Sequence, residues 1–262
     1  MLTLVRARHK AGKAGEPLPT AFPALEKAGV HIRRGQLTLI AAGSGTGKSA
    51  FATTIAVRAE VPTLYFSADS DAFTQYTRLG AMLTDSPVWA VEKDMDNGRS
   101  VHYDTQINNL DFMRWDFEAQ PALDNIDLDI RAFGYMYGCW PHLIIIDNIK
   151  NVWTESENEN NRYSEIIDYL HELARKTGAA VIALHHLTGE YDDGIKPAPM
   201  SALLGKVSKI PAMILTLHKE GNADFENLKL NVSIVKNRGG KADPSGQWFI
   251  SLPANLEYMR IG

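Results

Sequence analysis

With 262 residues, 45% of them hydrophobic and 22% charged, the chain has the composition of an ordinary folded protein with room for one large domain or two small ones, which excludes extended disorder and collagen-like repeats. Its 27 Lys and Arg against 31 Asp and Glu give a formal net charge of -4, so a uniformly basic nucleic-acid coat is excluded and any nucleic-acid contact is local. The single cysteine, Cys139, rules out an internal disulfide or a Cys-based zinc site, and no apolar run approaches the ~18 residues of a membrane span or forms a signal-peptide core in residues 1–20, so a cytoplasmic setting without membrane contact is expected.

Residues 1–19 read as a basic, flexible tail. Arg6, Arg8, Lys10 and Lys13 are followed by Pro17 and Pro19, and the chain is expected to enter the fold near Phe22. Two readings stay open for the tail: a frayed terminus, or an arm that touches DNA phosphates or a neighbouring subunit. From Gly35 onward, short apolar runs at 37–42, 63–66, 143–146, 179–184 and 212–217 alternate with segments of helical period. They predict buried strands of a mostly parallel central sheet flanked by helices, an α/β fold formed by residues 20–262.

Residues 88–129 interrupt that alternation. Between Val91 and Asp129 ten acids stand against Lys93, Arg99 and Arg114, a local charge of -7, so this segment is expected to be a helical surface insertion lying away from any DNA path. Tyr163, Ile166, Ile167, Leu170, Leu173 and Ala174 keep the spacing of one helix face. Near the C-terminus, 228–235 and 248–252 flank a turn region at Gly239-Gly240, which predicts an antiparallel hairpin.

The strongest local signal is Ala42-Gly43-Ser44-Gly45-Thr46-Gly47-Lys48-Ser49, placed between a strand and a helical stretch as a phosphate-binding loop requires. Its glycines let backbone N–H groups turn toward phosphates, and the start of the following helix favours the same anion. Gly43 to Ser49 are thus the expected nucleotide contacts. Lys48 would reach the β- and γ-phosphates of ATP, and Ser49 would bind Mg2+. Ala42 replaces the usual first glycine at the strand end. Asp147, directly after 142–146, is the candidate acid for the Mg2+ water shell. To orient an attacking water, Phe66-Ser67-Ala68-Asp69 offers Asp69 as general base, with Asp71 as the competing carboxylate. His185 and His186 end another strand; adjacent strand residues face opposite sides, so only one of them can point at a phosphate.

In their order, these motifs resemble the RecA-like motor domain of the replicative hexameric helicases, the DnaB family, over about residues 20–253. Thr20-Ala21-Phe22-Pro23-Ala24-Leu25-Glu26 looks like that family's leading segment, and 41–51 like its nucleotide loop. Phe66-Ser67-Ala68-Asp69 stands where the family has Phe-Ser-Leu-Glu, with Arg78-Leu79 following; Val181-Ile182-Ala183-Leu184-His185-His186-Leu187 stands where it has Val-Ile-Ala-Leu-Ser-Gln-Leu. The resemblance therefore puts His186 in the place of the glutamine that senses the γ-phosphate. Lys236-Asn237-Arg238-Gly239 is similar to the hairpin motif whose basic residues, here Lys236 and Arg238, reach into the next subunit's ATP site. The family's N-terminal domain and linker helix have no counterpart, so the chain looks like a stand-alone core of the kind found in phages of actinobacteria.

The resemblance implies an Mg2+-dependent ATPase acting on single-stranded or branched DNA as a hexameric ring or filament, in phage replication or recombination and hence in the host cytoplasm. Two other functions compete. Some similar stand-alone phage proteins are described as DNA-cleaving, and a nuclease here would have to gather Asp69, Asp71 and Asp147 around metal, because no acid-x-Lys signature exists. A slow ATP-dependent loader or scaffold is the third reading. Lys206, Lys209 and Lys241 either touch DNA or serve only as surface charge.

Overall fold

The computed structural model describes residues 3–10, 13–221 and 228–262. In chain order the elements are α1 (Leu4–Lys10), α2 (Pro23–Lys27), β1 (Leu37–Ala42), α3 (Lys48–Ala59), β2 (Thr63–Ser67), α4 (Ala72–Thr84), α5 (Val88–Asp96), α6 (Val101–Asn108), β3 (Met113–Asp116), α7 (Leu123–Tyr137), β4 (Leu143–Asp147), α8 (Glu159–Thr177), β5 (Ala180–His186), β6 (Met213–Glu220), β7 (Lys229–Asn237), β8 (Phe249–Asn255) and β9 (Arg260–Ile261). Among the described residues no helix is long and apolar enough to cross a membrane.

One sheet runs in the order β3-β2-β4-β5-β1-β6-β7-β8-β9. The pairs from β3 through β6 are parallel, and β6 to β9 pair antiparallel. Alternating side chains of the parallel strands enter two separate cores. Leu37, Leu39 and Ala41 of β1 pack with the Tyr163, Ile166 and Leu170 face of α8, whereas Ile40 and Ala42 pack with Phe51 and Ile55 of α3. Burial on both faces is why these strands read as near-continuous apolar runs. The amphipathic α8 begins on Asn158, whose side chain accepts from Asn160 N and Asn161 N, and ends at Gly178 with φ +73, the cap chemistry its sequence offers.

The predicted strands are present, and the C-terminal hairpin is β7 with β8. It sits within a longer antiparallel run, because β6 also pairs antiparallel with β7 and the short β9 adds to β8. The acidic segment is more than a helical surface insertion. It carries α5 and α6, but Thr63 to Phe66 pair with Met113 to Asp116, so it also supplies β3 at the sheet edge. Strand β3 is four residues long and half polar, too short for periodicity to reveal. In the basic tail, 4–10 is helical, and Gly15 N donates to Arg34 O (2.8 Å) and Leu18 N to Ile32 O (2.8 Å), ahead of Phe22. Residues 1–2 and 11–12 of that tail lie outside the described residues.

This topology sets the location of the site. Strands β1, β2, β4, β5 and β6 are mutually parallel, so Ala42, Ser67, Asp147, His186 and Glu220 all finish at the same edge. In open α/β sheets ligands bind beyond that carboxyl edge.

Candidate functional site

Beyond β1 the chain turns through the loop 43–47 and enters α3 at Lys48. Gly47 holds φ +103, a left-handed conformation that a side chain resists. Gly43 is required for another reason: a Cβ there would lie 2.3 Å from Asp192 O. The loop and the first turn of α3 line a cleft of about 330 Å³, together with Asp69, Ser70, Arg78, His186, Leu256 and Met259. Lys48 is only 7% exposed, and burial pushes its ammonium below the usual lysine range while Asp147, Asp69 and Asp192 hold it up. A desolvated ammonium at the start of a helix can pair with an anionic ligand in the cleft.

Asp147 ends β4 almost fully buried. Tyr65 of β2 donates its hydroxyl to Oδ2 (2.8 Å), and Oδ1 has no hydrogen-bond partner among the described residues. Burial raises its pKa, opposed first by the neighbouring Ser49 hydroxyl and the Tyr65 hydrogen bond and then by Lys48. An orphaned carboxylate oxygen beside the Ser49 hydroxyl fits Mg2+, a hard cation held through one or two protein oxygens while phosphates and water complete its shell.

Asp69 and Asp71 separate clearly. Asp71 is the N-cap of α4, with its carboxylate accepting from Thr74 N at 2.8 Å; that bond holds its pKa below the usual range. Asp69 lines the cleft, and no hydrogen bond engages its carboxylate among the described residues. The turn carrying it is fixed from several sides: Ala68 N and Asp69 N both donate to Asp147 O, Ser67 Oγ donates to Ser70 O, and Gln75 donates to Ser67 Oγ. Arg78 of α4 donates to Ser70 Oγ at 3.1 Å and reaches the same cleft. Among the described residues no three His, Cys, Asp or Glu are disposed to hold a metal, so Asp69, Asp71 and Asp147 do not gather as a cutting site would need.

The two histidines divide as strand alternation demands. His186 faces the cleft, half-buried; burial, then Lys48 and Lys150, lower its pKa, so near neutral pH it presents a neutral imidazole with one donor and one acceptor. His185 faces the other core, donates Nε2–H to Leu204 O (2.6 Å) and sets its ring edge against Tyr163. Burial takes its pKa from 6.5 to about 4. An unfolded His185 therefore binds a proton that the folded one refuses, and stability is full above pH 6.5 and falls as pH drops toward 4. The loss amounts to about 3 kcal/mol. His185→Gln should flatten this acid slope in denaturant titrations at a series of pH values; an unchanged slope assigns it to other groups.

Lys236 and Arg238 lie elsewhere. Ala42 is level with Leu217 and Val232, whereas Thr38 is level with Met213 and Asn237. Asn237 is thus four strand positions from the loop end of β1, roughly 13 Å at a strand's rise per residue, at the opposite edge of the sheet. There Lys236 Nζ donates to Ser208 O and Lys209 O, and the exposed Arg238 donates to Lys209 O (3.0 Å). Lys206, Lys209 and Lys241 are exposed as well.

Several residues that line or support the cleft escaped the sequence reading. Tyr65 is an apolar-run residue whose hydroxyl finds its use only when β2 and β4 pair. Asp192 and Gly194 come from a connecting loop, and Leu256 and Met259 from the turn between β8 and β9; none carries a sequence signal of its own.

Residues 17–251 match the family of the DnaB-like helicase C terminal domain. The chain is 45% identical over 267 residues to the Gene 65 protein of Mycobacterium phage L5, covering 100% of this chain and 98% of that protein. To the Gene 65 protein of Mycobacterium phage D29 it is 46% identical over 231 residues, covering 86% and 98% respectively. Among solved structures, a DnaB-like replicative helicase studied for its interactions with primase has the same fold over part of its length, with a TM-score of 0.77 at 19% identity over 98% of this chain and 64% of that one. With its phosphate loop, strand-end acid and sheet order, the chain belongs to the DnaB-like helicase C-terminal domain family and is an ATP-hydrolysing enzyme.

Proposed function

We propose that this protein is an Mg2+-dependent ATPase that works on DNA as an oligomeric motor, a ring of the hexameric kind or a filament, during phage replication or recombination in the host cytoplasm. The observation that carries the reading is the division of the site between two sheet edges. The loop, Asp69 and His186 line one cleft, with Asp147 buried beside Lys48, while Arg238 lies at the far edge, away from its own loop and in a place to serve a neighbouring copy.

In this reading the loop amides and Lys48 grip the β- and γ-phosphates. Ser49 and Asp147 would hold Mg2+, which would supply charge neutralisation at the phosphate oxygens. Asp69 orients a water and accepts its proton as the water oxygen bonds to the γ-phosphorus and the bond to the bridging oxygen breaks. His186 meets the γ-phosphate and registers its loss. A guanidinium from the next subunit steadies the charge that develops on the transferred group.

The direct test is ATP hydrolysis with and without single-stranded DNA, using wild type and Lys48→Ala. Stimulated turnover in the wild type and loss of both binding and turnover in Lys48→Ala are expected, with circular dichroism unchanged. Turnover absent under both conditions sinks the motor reading, and Lys48→Ala turnover within about twofold of wild type shows that the nucleotide site lies elsewhere.

A further inference from the structure

We infer that Lys219 is a second phosphate-binding lysine of the nucleotide site, acting in cis from the end of β6. The inference rests on the nucleotide-site reading and adds a residue that its motifs do not contain. Lys219 Nζ donates to Gly45 O, at the apex of the phosphate loop, at 3.2 Å. Its own main-chain N–H donates to Gly194 O at 2.6 Å. Gly194 in turn lies against the loop so closely that a Cβ would fall 2.0 Å from Thr46 Oγ1, and two residues earlier Asp192 O accepts from Ser44 N. The segment after β5 and the end of β6 therefore clasp the loop, while Lys48 approaches from α3.

This clasp has two consequences. Anchoring Gly45 O on Lys219 fixes the peptide that joins Gly45 to Thr46, whose N–H approaches Gly43 O at 3.4 Å. The second concerns charge. An ammonium has three donors, and among the described residues Gly45 O is the one acceptor of the Lys219 ammonium and no carboxylate forms an ion pair with it. A half-buried cation held at a phosphate loop with no ion-pair partner among the described residues is completed by phosphate oxygens. A triphosphate brings more of that charge than a diphosphate, so Lys219 discriminates in favour of ATP. Unlike Arg238, it sits at the same sheet edge as its own loop, because β6 is parallel to β1.

The experiment compares Lys219→Ala, Lys219→Arg and Lys48→Ala for binding of a non-hydrolysable ATP analogue and of ADP. Lys219→Ala should weaken the analogue about tenfold or more and ADP less than about threefold, with Lys219→Arg restoring most of the difference. An equal loss for both nucleotides would show a brace that touches no terminal phosphate, and no loss would show no role; either overturns the inference. If Lys219→Ala fails to fold, Lys219→Arg and Lys219→Gln carry the same comparison. Lys48→Ala separates the two readings: if it still binds both nucleotides, the nucleotide-site reading itself falls, whereas its loss beside an unaffected Lys219→Ala removes only the present inference. Mixing Lys219→Ala with Lys48→Ala should restore no hydrolysis, since each lesion disables the nucleotide site of the subunit that carries it; recovery would place Lys219 across an interface and refute its action in cis.

Discussion

Asp69→Asn should leave nucleotide binding within about threefold of wild type and lower hydrolysis by about 100-fold or more, the usual contribution of a positioned general base. The amide keeps the shape of the carboxylate but cannot take the proton of the attacking water. The turn around it will not move, since it is held through main-chain bonds from Ala68 and Asp69 to Asp147 O and through the Ser67, Ser70 and Gln75 hydroxyl and amide contacts. Asp71→Asn is the matched control, because asparagine caps a helix about as well as aspartate and Asp71 spends its carboxylate on Thr74 N. Single-turnover hydrolysis and binding of a fluorescent nucleotide measure the two quantities. A wild-type rate in Asp69→Asn, paired with a collapse in Asp71→Asn, would move the base two residues along the chain.

How far the sequence could be read depended on whether a feature was local. The phosphate loop, the buried strands and the amphipathic α8 were visible because glycine spacing, apolar runs and helical period are properties of consecutive residues. The split between His185 and His186 followed from strand alternation alone, with the resemblance selecting the residue that faces the cleft. Strand β3 was missed because four half-polar residues inside an acidic stretch have no period, and their place is set by pairing with β2. The choice between Asp69 and Asp71 needed the cap of α4, which is a matter of one hydrogen bond. Lys219 was beyond reach for a different reason. Its partners Gly45 and Gly194 are far away in the chain, and an isolated lysine at a strand end carries no motif.

Arg238→Ala should bind nucleotide normally yet hydrolyse it about 1000-fold more slowly, the scale expected when a guanidinium that stabilises the transferring phosphoryl group is removed. Register decides whose phosphate it serves. Arg238 N donates to Ala212 O and Asn237 is level with Thr38, so the guanidinium starts from the sheet edge opposite its own loop. A head-to-tail assembly, in which one edge meets the other edge of the next copy, is the arrangement that closes rings or extends filaments. Hydrolysis per subunit should therefore rise with protein concentration as the assembly forms. Mixing supplies the sharper test: Arg238→Ala subunits keep an intact loop, and Lys48→Ala subunits keep an intact guanidinium. Each alone should be nearly inactive. In an equal mixture, random assembly unites an intact loop with an intact Arg238 at about a quarter of interfaces, so recovery should approach that fraction of wild-type turnover and no more. If the two variants co-assemble, as followed by differently labelled subunits, and no activity returns, Arg238 does not act across the interface, and the exposed turn from Lys236 to Lys241 must be assigned to another contact.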